Sequence, residues 1–487
     1  MCDHVEGFEI VLANGEHKKI WRPNSPTRKL IVFPEDIAKE NDDLFWAVMG
    51  GSPGTFGVLT HVQIRPLHDA KFLGSHAMKV ATPYTKEKLE KCVQIMAEMS
   101  DDHEFPRNFD YYISVATDIA NSFYFKRSVT SRETLTRDQE MLLHYPEHYS
   151  DGVPWAEEGK LKFTVLPIPV IFVYFQWSNV DGGEGCFGEK ETKWFETIRS
   201  AIEPVVLDVP KNQANGSPKL HDMHLFLKAL LPESHPHGSA DSQNQYEHHV
   251  DRLRYTDPLP MSQLTRYWTM EDAREYVMPY EKRAYLSDKT DLSKIGWSKW
   301  LSERVDVIAD GYRGDDSLGL VIQIHMIGGK HSQIHRIAAE NPEDSSHSWR
   351  TETTMLQALD GFYDPQEPKA LPALLKWHEE NDKEAKEGGI FCEKDRRYLS
   401  GAYYRPDDKD GGASLDSVWD KYFDSREKYE RLVEIKRRVD PEYVFSANLF
   451  GVDASNAPEN KKMAILPMGQ SGDETSNIDI SYLDVSI

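Results

Sequence analysis

The feature that most constrains the fold of this chain is a glycine-rich loop, residues 50–57, between a helical and a strand-like segment. Residues 41–49 place acidic residues before apolar ones, which predicts a short helix. Val58–Ile64 predicts a strand. Glycines in such a loop allow positive φ and a close approach of N–H groups to an anion or a flat ring. Because no Gly-Lys-Ser/Thr follows, and the loop runs into a strand, the P-loop and the Rossmann fingerprint are both excluded. By itself, the loop also suits a purely structural turn.

The amino-terminal residues predict a β-hairpin. Residues 7–20 carry β-rich runs on either side of Asn14-Gly15, which is the strongest short signal for a hairpin. A strand so close to residue 1 has almost no preceding sequence to supply neighbouring strands. We therefore expect this part of the chain to form half of a larger sheet.

Downstream of the glycine loop, β-rich and helical segments alternate. The β-rich segments are 111–115, 161–175 and 318–325, and the helical ones include 84–99 and 192–202. This pattern predicts an antiparallel sheet with helices on one side. Residues 208–260 are rich in Pro, His, Ser and Asn, and are predicted to form surface loops.

The carboxy-terminal region predicts one long helix and a tail. Residues 419–439 combine an apolar stripe with two (i, i+4) pairs, Glu427 with Arg431 and Glu434 with Arg438. Asp440-Pro441 is expected to end the helix. Residues 454–487 are polar and acidic, which predicts a mobile tail.

Composition excludes several classes of protein. The chain has 487 residues, 39% of them hydrophobic, which indicates a globular protein of at least two domains. A net charge of −23 argues against nucleic-acid binding and favours neutral or cationic substrates. No apolar run is long enough for a membrane span, and neither the cysteines nor the histidines have metal-site spacing. Residues 1–8 lack a secretory signal, so a cytoplasmic location is expected if Met1 is the true start. The sequence specifies no oligomeric state.

Two amino-terminal segments carry a family resemblance. Residues 3–15, containing Asp-His-Val, and residues 43–60, containing Asp-Leu-Phe-Trp-Ala and Gly-Gly-Ser-Pro-Gly-Thr-Phe-Gly-Val, resemble the second half of the FAD-binding domain of the berberine bridge enzyme-like flavoproteins, in the vanillyl-alcohol oxidase superfamily. The resemblance implies that this loop lies against FAD. The cofactor-binding residues that it implies are Gly50, Gly51, Gly54, Phe56, Gly57 and Val58.

A second resemblance lies near the other end of the chain. Residues 419–423, 429–441 and 444–450 are similar to the carboxy-terminal segment of the same family, where the chain returns to the cofactor domain. The polar residue that the family places near the flavin corresponds to Asn448. Two matches in the right order are more specific than either one alone.

The resemblance also implies catalytic candidates. Relatives place a Tyr-x-Asn element as a base, and its counterpart here contains Tyr398 and Tyr404, with a serine in place of the asparagine. Both tyrosines are equally suited to structural roles. His347 and Arg350 are candidates for a place beside the flavin ring. The family's histidine-bearing pyrophosphate loop has no counterpart, so the chain gives no support for covalent flavin attachment.

Together these features predict an α+β protein. The expected domains are a partial FAD-binding domain over 1–66, a substrate domain over 67–415, a segment over 416–453 that returns to the FAD-binding domain, and the tail over 454–487. The resemblance implies an FAD-dependent oxidoreductase that acts on an alcohol, hemiacetal or amine carbon of a small molecule, with oxygen as acceptor. The alternative is a non-catalytic remnant that binds a small molecule or a protein.

Overall fold

A computed structural model gives the fold. It describes residues 2–51, 54–66, 68, 74–101, 109–116, 170–179, 187–202, 280–293, 296–311, 318–327, 332–351, 353–363, 367–384, 395–398, 414–445 and 451–458. Two antiparallel sheets with helices packed against them make this an α+β protein, as predicted.

The amino-terminal module contains a three-stranded sheet in the order β2-β1-β3. Its strands are β1 (Val5–Val11), β2 (His17–Trp21) and β3 (Val58–Ile64), and its helices are α1 (Pro26–Lys29) and α2 (Glu35–Val48). The predicted hairpin is confirmed, because β1 pairs with β2 around a turn in which Gly15 adopts a φ of 82°. The helix before the glycine loop is longer than predicted and begins at Glu35.

Strand β3 is exposed along its whole length. All seven of its residues are exposed, and Val58, Leu59, Val62 and Ile64 each keep between 44% and 54% of their surface accessible. Its one partner among the described strands is β1. Within the described part of the chain β3 is therefore an edge strand of this sheet, and the expectation that the sheet is half of a larger one stays a prediction.

The larger sheet has six strands in the order β4-β6-β5-β8-β9-β7. The strands are β4 (His76–Pro83), β5 (Phe109–Ala116), β6 (Val170–Trp177), β7 (Tyr280–Ser287), β8 (Leu318–Met326) and β9 (Met355–Tyr363). The helices in this part of the chain are α3 (Lys86–Asp101), α4 (Glu189–Ile202), α5 (Lys289–Leu292), α6 (Trp297–Gly311), α7 (Gln333–Glu340) and α8 (Ala370–Glu384). All strand pairs are antiparallel.

The two faces of this sheet have different partners. In β9 the odd-numbered residues Met355, Leu359 and Tyr363 join the core together with helix residues. A Cβ at Gly361 would lie 2.1 Å from Leu374 of α8, which shows how closely this helix packs. Because side chains alternate along a strand, the even-numbered residues of β9 face away from these helices. We call that side of the sheet the free face, where free means only that these helices of the described chain do not cover it.

The carboxy-terminal helix differs from the prediction. Residues 419–439 form two helices, α9 (Trp419–Tyr422) and α10 (Arg426–Val439), because Phe423 is extended and Ser425 caps α10 by accepting from the amide of Lys428. The predicted pairs within the helix, Glu427 with Arg431 and Glu434 with Arg438, were also wrong. Both arginines contact Asp43 of α2 instead, at 2.9 and 3.1 Å.

The two ends of the described chain share one hydrophobic cluster. We call it the terminal cluster; its members include Phe8, Phe45, Phe56, Leu432 and Ile435. Residues almost four hundred positions apart in sequence therefore lie against each other. The predicted domain boundaries at 66, 415 and 453 stay predictions.

Candidate functional site

Most glycines of the loop 50–57 are required by packing within the protein. A Cβ at Gly50 would lie 2.2 Å from the backbone nitrogen of His347, one at Gly51 would lie 2.5 Å from Leu432, and one at Gly57 would lie 2.7 Å from the carbonyl of Val11. Gly54 differs, because it has a φ of 73° and a Cβ at this position would meet no atom of the described residues within 4 Å. Among the loop glycines predicted to bind a ligand, this one leaves open space beside it.

The other predicted cofactor residues divide into three groups. Phe56 is buried in the terminal cluster, at 2% exposure, so its side chain stabilises the loop rather than presenting a surface. Val58 is 54% exposed at the start of β3. Asn448 and the catalytic candidate Tyr404 lie outside the described residues.

His347 and Tyr398 meet beside the glycine loop. Their ring centroids lie 5.8 Å apart in an edge-on arrangement, and the backbone of His347 touches Gly50. Burial, assisted by Arg350, lowers the pKa of His347 to about 4, so its imidazole is neutral at pH 7. The amide of Tyr398 donates to the carbonyl of Ala284, which attaches it to the edge of the six-stranded sheet.

Arg350 has a structural contact. Its guanidinium donates to Asp3 at 2.7 Å and to the carbonyl of Ile334 at 3.0 Å. The side chain is thus engaged between the amino-terminal residues and α7. The place of Arg350 beside a flavin ring stays a prediction.

The free face of the six-stranded sheet meets the amino-terminal module at one end. Ala284 of β7 belongs to the terminal cluster, and Leu356 of β9 packs against it. Leu356 is paired in register with His325, and His325 with Tyr112. These side chains therefore line the free face where it approaches the module that carries the glycine loop.

Polar and aromatic groups continue along this face. The ring of Tyr112 lies edge-on to His325 at 4.2 Å and beside Tyr174 at 5.3 Å. Burial lowers the pKa of His325 to about 4, so it is neutral at pH 7. Gln323 and Ser114 are paired in register on the same face. The surface offers neutral hydrogen-bonding groups together with aromatic edges.

Asp360 is the most unusual residue on the free face. Its register partners are Lys282 and Val321, and it lies two residues, or about 7 Å, along β9 from the Ala284–Ala358 pair at the module contact. It is 8% exposed, and its Oδ1 has no hydrogen-bond partner among the described residues. Burial raises its pKa to about 7, although the Lys282 ammonium at 3.7 Å opposes the shift.

Sequence reasoning did not find Asp360. The available signal was the strand 355–363, Met-Leu-Gln-Ala-Leu-Asp-Gly-Phe-Tyr, in which one carboxylate interrupts an otherwise apolar or uncharged run. A buried carboxylate requires a partner or a function. Only the register shows that Asp360 faces away from the helices.

Two comparisons with known sequences support the family resemblance, and the first of them lies near the carboxy-terminal end. Residues 406–449 match the family model for berberine and berberine-like proteins. The FAD-linked oxidoreductase malF of Malbranchea aurantiaca is 42% identical over 67 residues, which are 14% of this chain and 9% of that protein. These findings confirm the predicted resemblance to FAD-linked oxidoreductases of the berberine bridge enzyme type.

Solved structures of several oxidases are also similar to this chain. The 6-hydroxy-D-nicotine oxidase of Arthrobacter nicotinovorans has 12% identity and a TM-score of 0.43, with 92% of this chain and 66% of that chain covered. Berberine bridge enzyme of Eschscholzia californica has 15% identity and a TM-score of 0.46, with 91% of this chain and 64% of that chain covered. A xylooligosaccharide oxidase of Myceliophthora thermophila, solved with xylobiose, has 14% identity and a TM-score of 0.45, with 91% of this chain and 65% of that chain covered. The chain spans less than two thirds of the length of each of these proteins.

The described ranges contain neither a membrane-spanning helix nor a metal-binding cluster. No helix within them is both long and apolar enough to cross a bilayer. The same ranges contain no group of three or more His, Cys, Asp or Glu side chains arranged to hold a metal ion.

Proposed function

We propose that this chain, which resembles the FAD-linked oxidoreductases of the berberine bridge enzyme type, forms the substrate-binding part of a flavin-dependent oxidoreductase. The observation that carries the proposal is Asp360, a buried carboxyl group with an unpartnered oxygen on the free face of the sheet. FAD, when bound, would accept the electron pair from an alcohol, hemiacetal or amine carbon and pass it to oxygen.

The described residues fit one side of such a cofactor. The open position at Gly54, the neutral imidazoles of His325 and His347 and the ring of Tyr112 suit a flat, polar ring. A pyrophosphate instead requires cations or converging amides. Arg396 and Lys436, two buried cations of the described chain, are already engaged by Asp288 and Asp440. The described residues therefore suit contact with the flavin ring and the substrate rather than binding of the pyrophosphate.

In this proposal Asp360 takes the proton from the substrate hydroxyl or amine. A pKa of about 7 is close to that of an efficient general base at neutral pH. Lys282, at 3.7 Å, would stabilise the carboxylate in its ionised state. Gln323 and Tyr112 would orient a substrate along the same face, since both are only partly buried. Tyr398, the base proposed from sequence, lies beside His347 and is the competing candidate.

The overall charge favours a neutral or cationic substrate. With a net charge of −23, the protein repels anions at long range. The free face adds no described unpaired cation that would recruit a carboxylate or a phosphate. Among the similar structures, a xylooligosaccharide oxidase is bound to xylobiose, which is a neutral sugar. A variant of berberine bridge enzyme is bound to (S)-reticuline, which is an amine. We propose the same broad class of substrate here.

The proposal is tested by the absorption spectrum and the reduction kinetics of the purified chain. We expect flavin absorption bands after reconstitution with FAD, and an Asp360→Asn variant that keeps these bands but is reduced by substrate at least about 100-fold more slowly. Tyr398→Phe is the matched control, with a smaller expected effect. A larger loss for Tyr398→Phe than for Asp360→Asn would assign the base to the tyrosine.

A second candidate function has two observations in its favour. The described buried cations are paired, and β3 leaves its apolar side chains exposed. Both facts fit a protein that binds a small molecule or a protein without FAD. A colourless protein that takes up no FAD, yet is stabilised by a small amine or sugar, would support this second function.

A further inference from the structure

The side chain of Lys436 is fully buried, and it joins two segments that are distant in sequence. Its ammonium group donates to Oδ2 of Asp440 at 2.5 Å, to the carbonyl of Thr55 at 2.7 Å and to the carbonyl of Phe445 at 3.5 Å. Neither Lys436 nor Asp440 exposes any side-chain surface. All three N–H donors of the ammonium are therefore used within the protein.

Asp440 binds the turn that follows α10. Its Oδ1 accepts from the amide of Val444 at 2.7 Å, and its Oδ2 accepts from the amide of Phe445 at 2.9 Å. The pair thus contacts the glycine loop through the lysine and the 441–445 turn through the aspartate. We call Lys436 and Asp440 the clasp.

Packing alone does not require an ion pair at this position. The surrounding terminal cluster already contains Phe56, Leu432 and Ile435, and a buried ion pair is often no more stabilising than two well-packed apolar side chains. What an apolar pair lacks is direction, because it cannot hold a backbone carbonyl at a chosen position. The contact of Lys436 with Thr55 spans 381 positions in sequence, so it specifies how the two ends are aligned.

The segment held by the clasp is the part of the glycine loop that is open to a ligand. Thr55 follows Gly54, the glycine with open space beside it, and precedes Phe56 in the terminal cluster. A shift of the Thr55 carbonyl would move the amides of residues 54–57 together. The position of these amides decides whether they can contact a bound ring or anion.

We propose that Lys436 and Asp440 are positioning residues that hold residues 54–57 in the conformation that receives the cofactor. The inference rests on the proposed function where it names FAD, whereas the alignment of the loop by the clasp is independent of that function.

The test replaces the clasp by apolar residues of similar size. The double variant Lys436→Met/Asp440→Leu removes the contacts without leaving a buried unpaired charge. The matched control is Arg426→Met/Glu430→Leu, which removes an exposed (i, i+4) pair from the same helix. Amide hydrogen exchange is measured on the purified full-length chain without ligand, and the dissociation constant of FAD is measured by titration.

We expect the double variant to exchange amides 54–57 at least about 10-fold faster and to bind FAD at least about 10-fold more weakly. Exchange in β8 and β9 should stay unchanged, and the control should behave as the wild type. Wild-type exchange at residues 54–57 in the double variant would overturn the inference. If the wild type itself takes up no FAD but the exchange rates change as expected, the proposed function fails while the role of the clasp stands.

A second variant decides the case if the double variant does not fold. Asp440→Asn keeps the size of the side chain, but its amide group must face either the Val444 amide or the Lys436 and Phe445 donors. We expect faster exchange at residues 54–57 and 444–445, with β8 and β9 unchanged. Unchanged exchange at 54–57 in this variant would overturn the inference.

Discussion

Replacing Asp360 by asparagine should change how the stability of the protein depends on pH. Burial raises the pKa of Asp360 from 3.8 to about 7. Well below the ordinary pKa of 3.8, this carboxyl is protonated in both the folded and the unfolded chain, so it has no differential effect. Between pH 4 and 7 the unfolded chain loses the proton first, and the folded state becomes less stable as pH rises. The difference between these two pKa values lowers the free energy of unfolding by about 4 kcal/mol at pH 8.

The free energy of unfolding of Asp360→Asn does not fall in this way as pH rises, because the asparagine side chain does not ionise. We expect the free energy of unfolding of Asp360→Asn to equal that of the wild type near pH 4 and to exceed it by up to about 4 kcal/mol at pH 8. Urea unfolding at pH 4, 6 and 8, followed by circular dichroism, measures the difference. A difference that stays constant over this range would refute the assignment of a raised pKa to Asp360.

The control for this experiment is a buried carboxylate with the opposite behaviour. Although burial acts to raise the pKa of Asp382, Arg397 and Arg283 outweigh it and hold that pKa below its usual range. Arg397 lies 2.9 Å away, and the hydroxyl of Tyr285 donates to Asp382 at 2.6 Å. Asp382→Asn should therefore destabilise the protein at pH 7, by about 3–5 kcal/mol. The difference from the wild type should shrink as pH falls below 4, because the stabilisation by an ionised Asp382 is lost there.

Three further predictions concern packing, and urea unfolding checks the first two. Gly50→Ala should destabilise the protein by about 3 kcal/mol, because the new Cβ would lie 2.2 Å from the backbone of His347. Gly54→Ala should destabilise it by only about 1 kcal/mol, because the positive φ is the one source of strain there. Equal losses in the two variants would contradict this difference. Leu432→Ala should cost about 2–5 kcal/mol, since the side chain is fully buried in the terminal cluster, and a loss below about 1 kcal/mol would contradict its place there. Val62→Lys should change the free energy of unfolding by less than about 0.5 kcal/mol, because Val62 is 47% exposed on β3. We also expect the lysine to lower light scattering of concentrated protein, because an exposed apolar edge strand promotes association; unchanged scattering would contradict this expectation.

Local patterns in the sequence determined much of the secondary structure. Asn14-Gly15 specified a tight turn because few other residues adopt positive φ at low cost. The strand Val58–Ile64 was predicted with the bounds that the structure has. The order of helix, glycine loop and strand, together with the motifs at both ends, also gave the family resemblance that the carboxy-terminal match confirms.

Other features depended on contacts between distant residues. The break between α9 and α10 arises where Phe423 enters the terminal cluster, at 1% exposure. Arg431 and Arg438 contact Asp43 rather than glutamates one turn away, because an exposed (i, i+4) pair contributes only a few tenths of a kcal/mol and is easily replaced. Helix periodicity shows which face is apolar, but it does not show which partner that face will meet.

The sequence alone therefore established the α+β class, the hairpin, the glycine loop and the resemblance of both ends to one flavoprotein family, because each depends on neighbours along the chain. Only the tertiary structure decided that three of the four loop glycines serve internal packing, that Lys436 reaches the carbonyl of Thr55, and that Asp360 lies on the free face. The physical reason is that burial, and the pKa shift it causes, depends on the register of strands and on what packs above them.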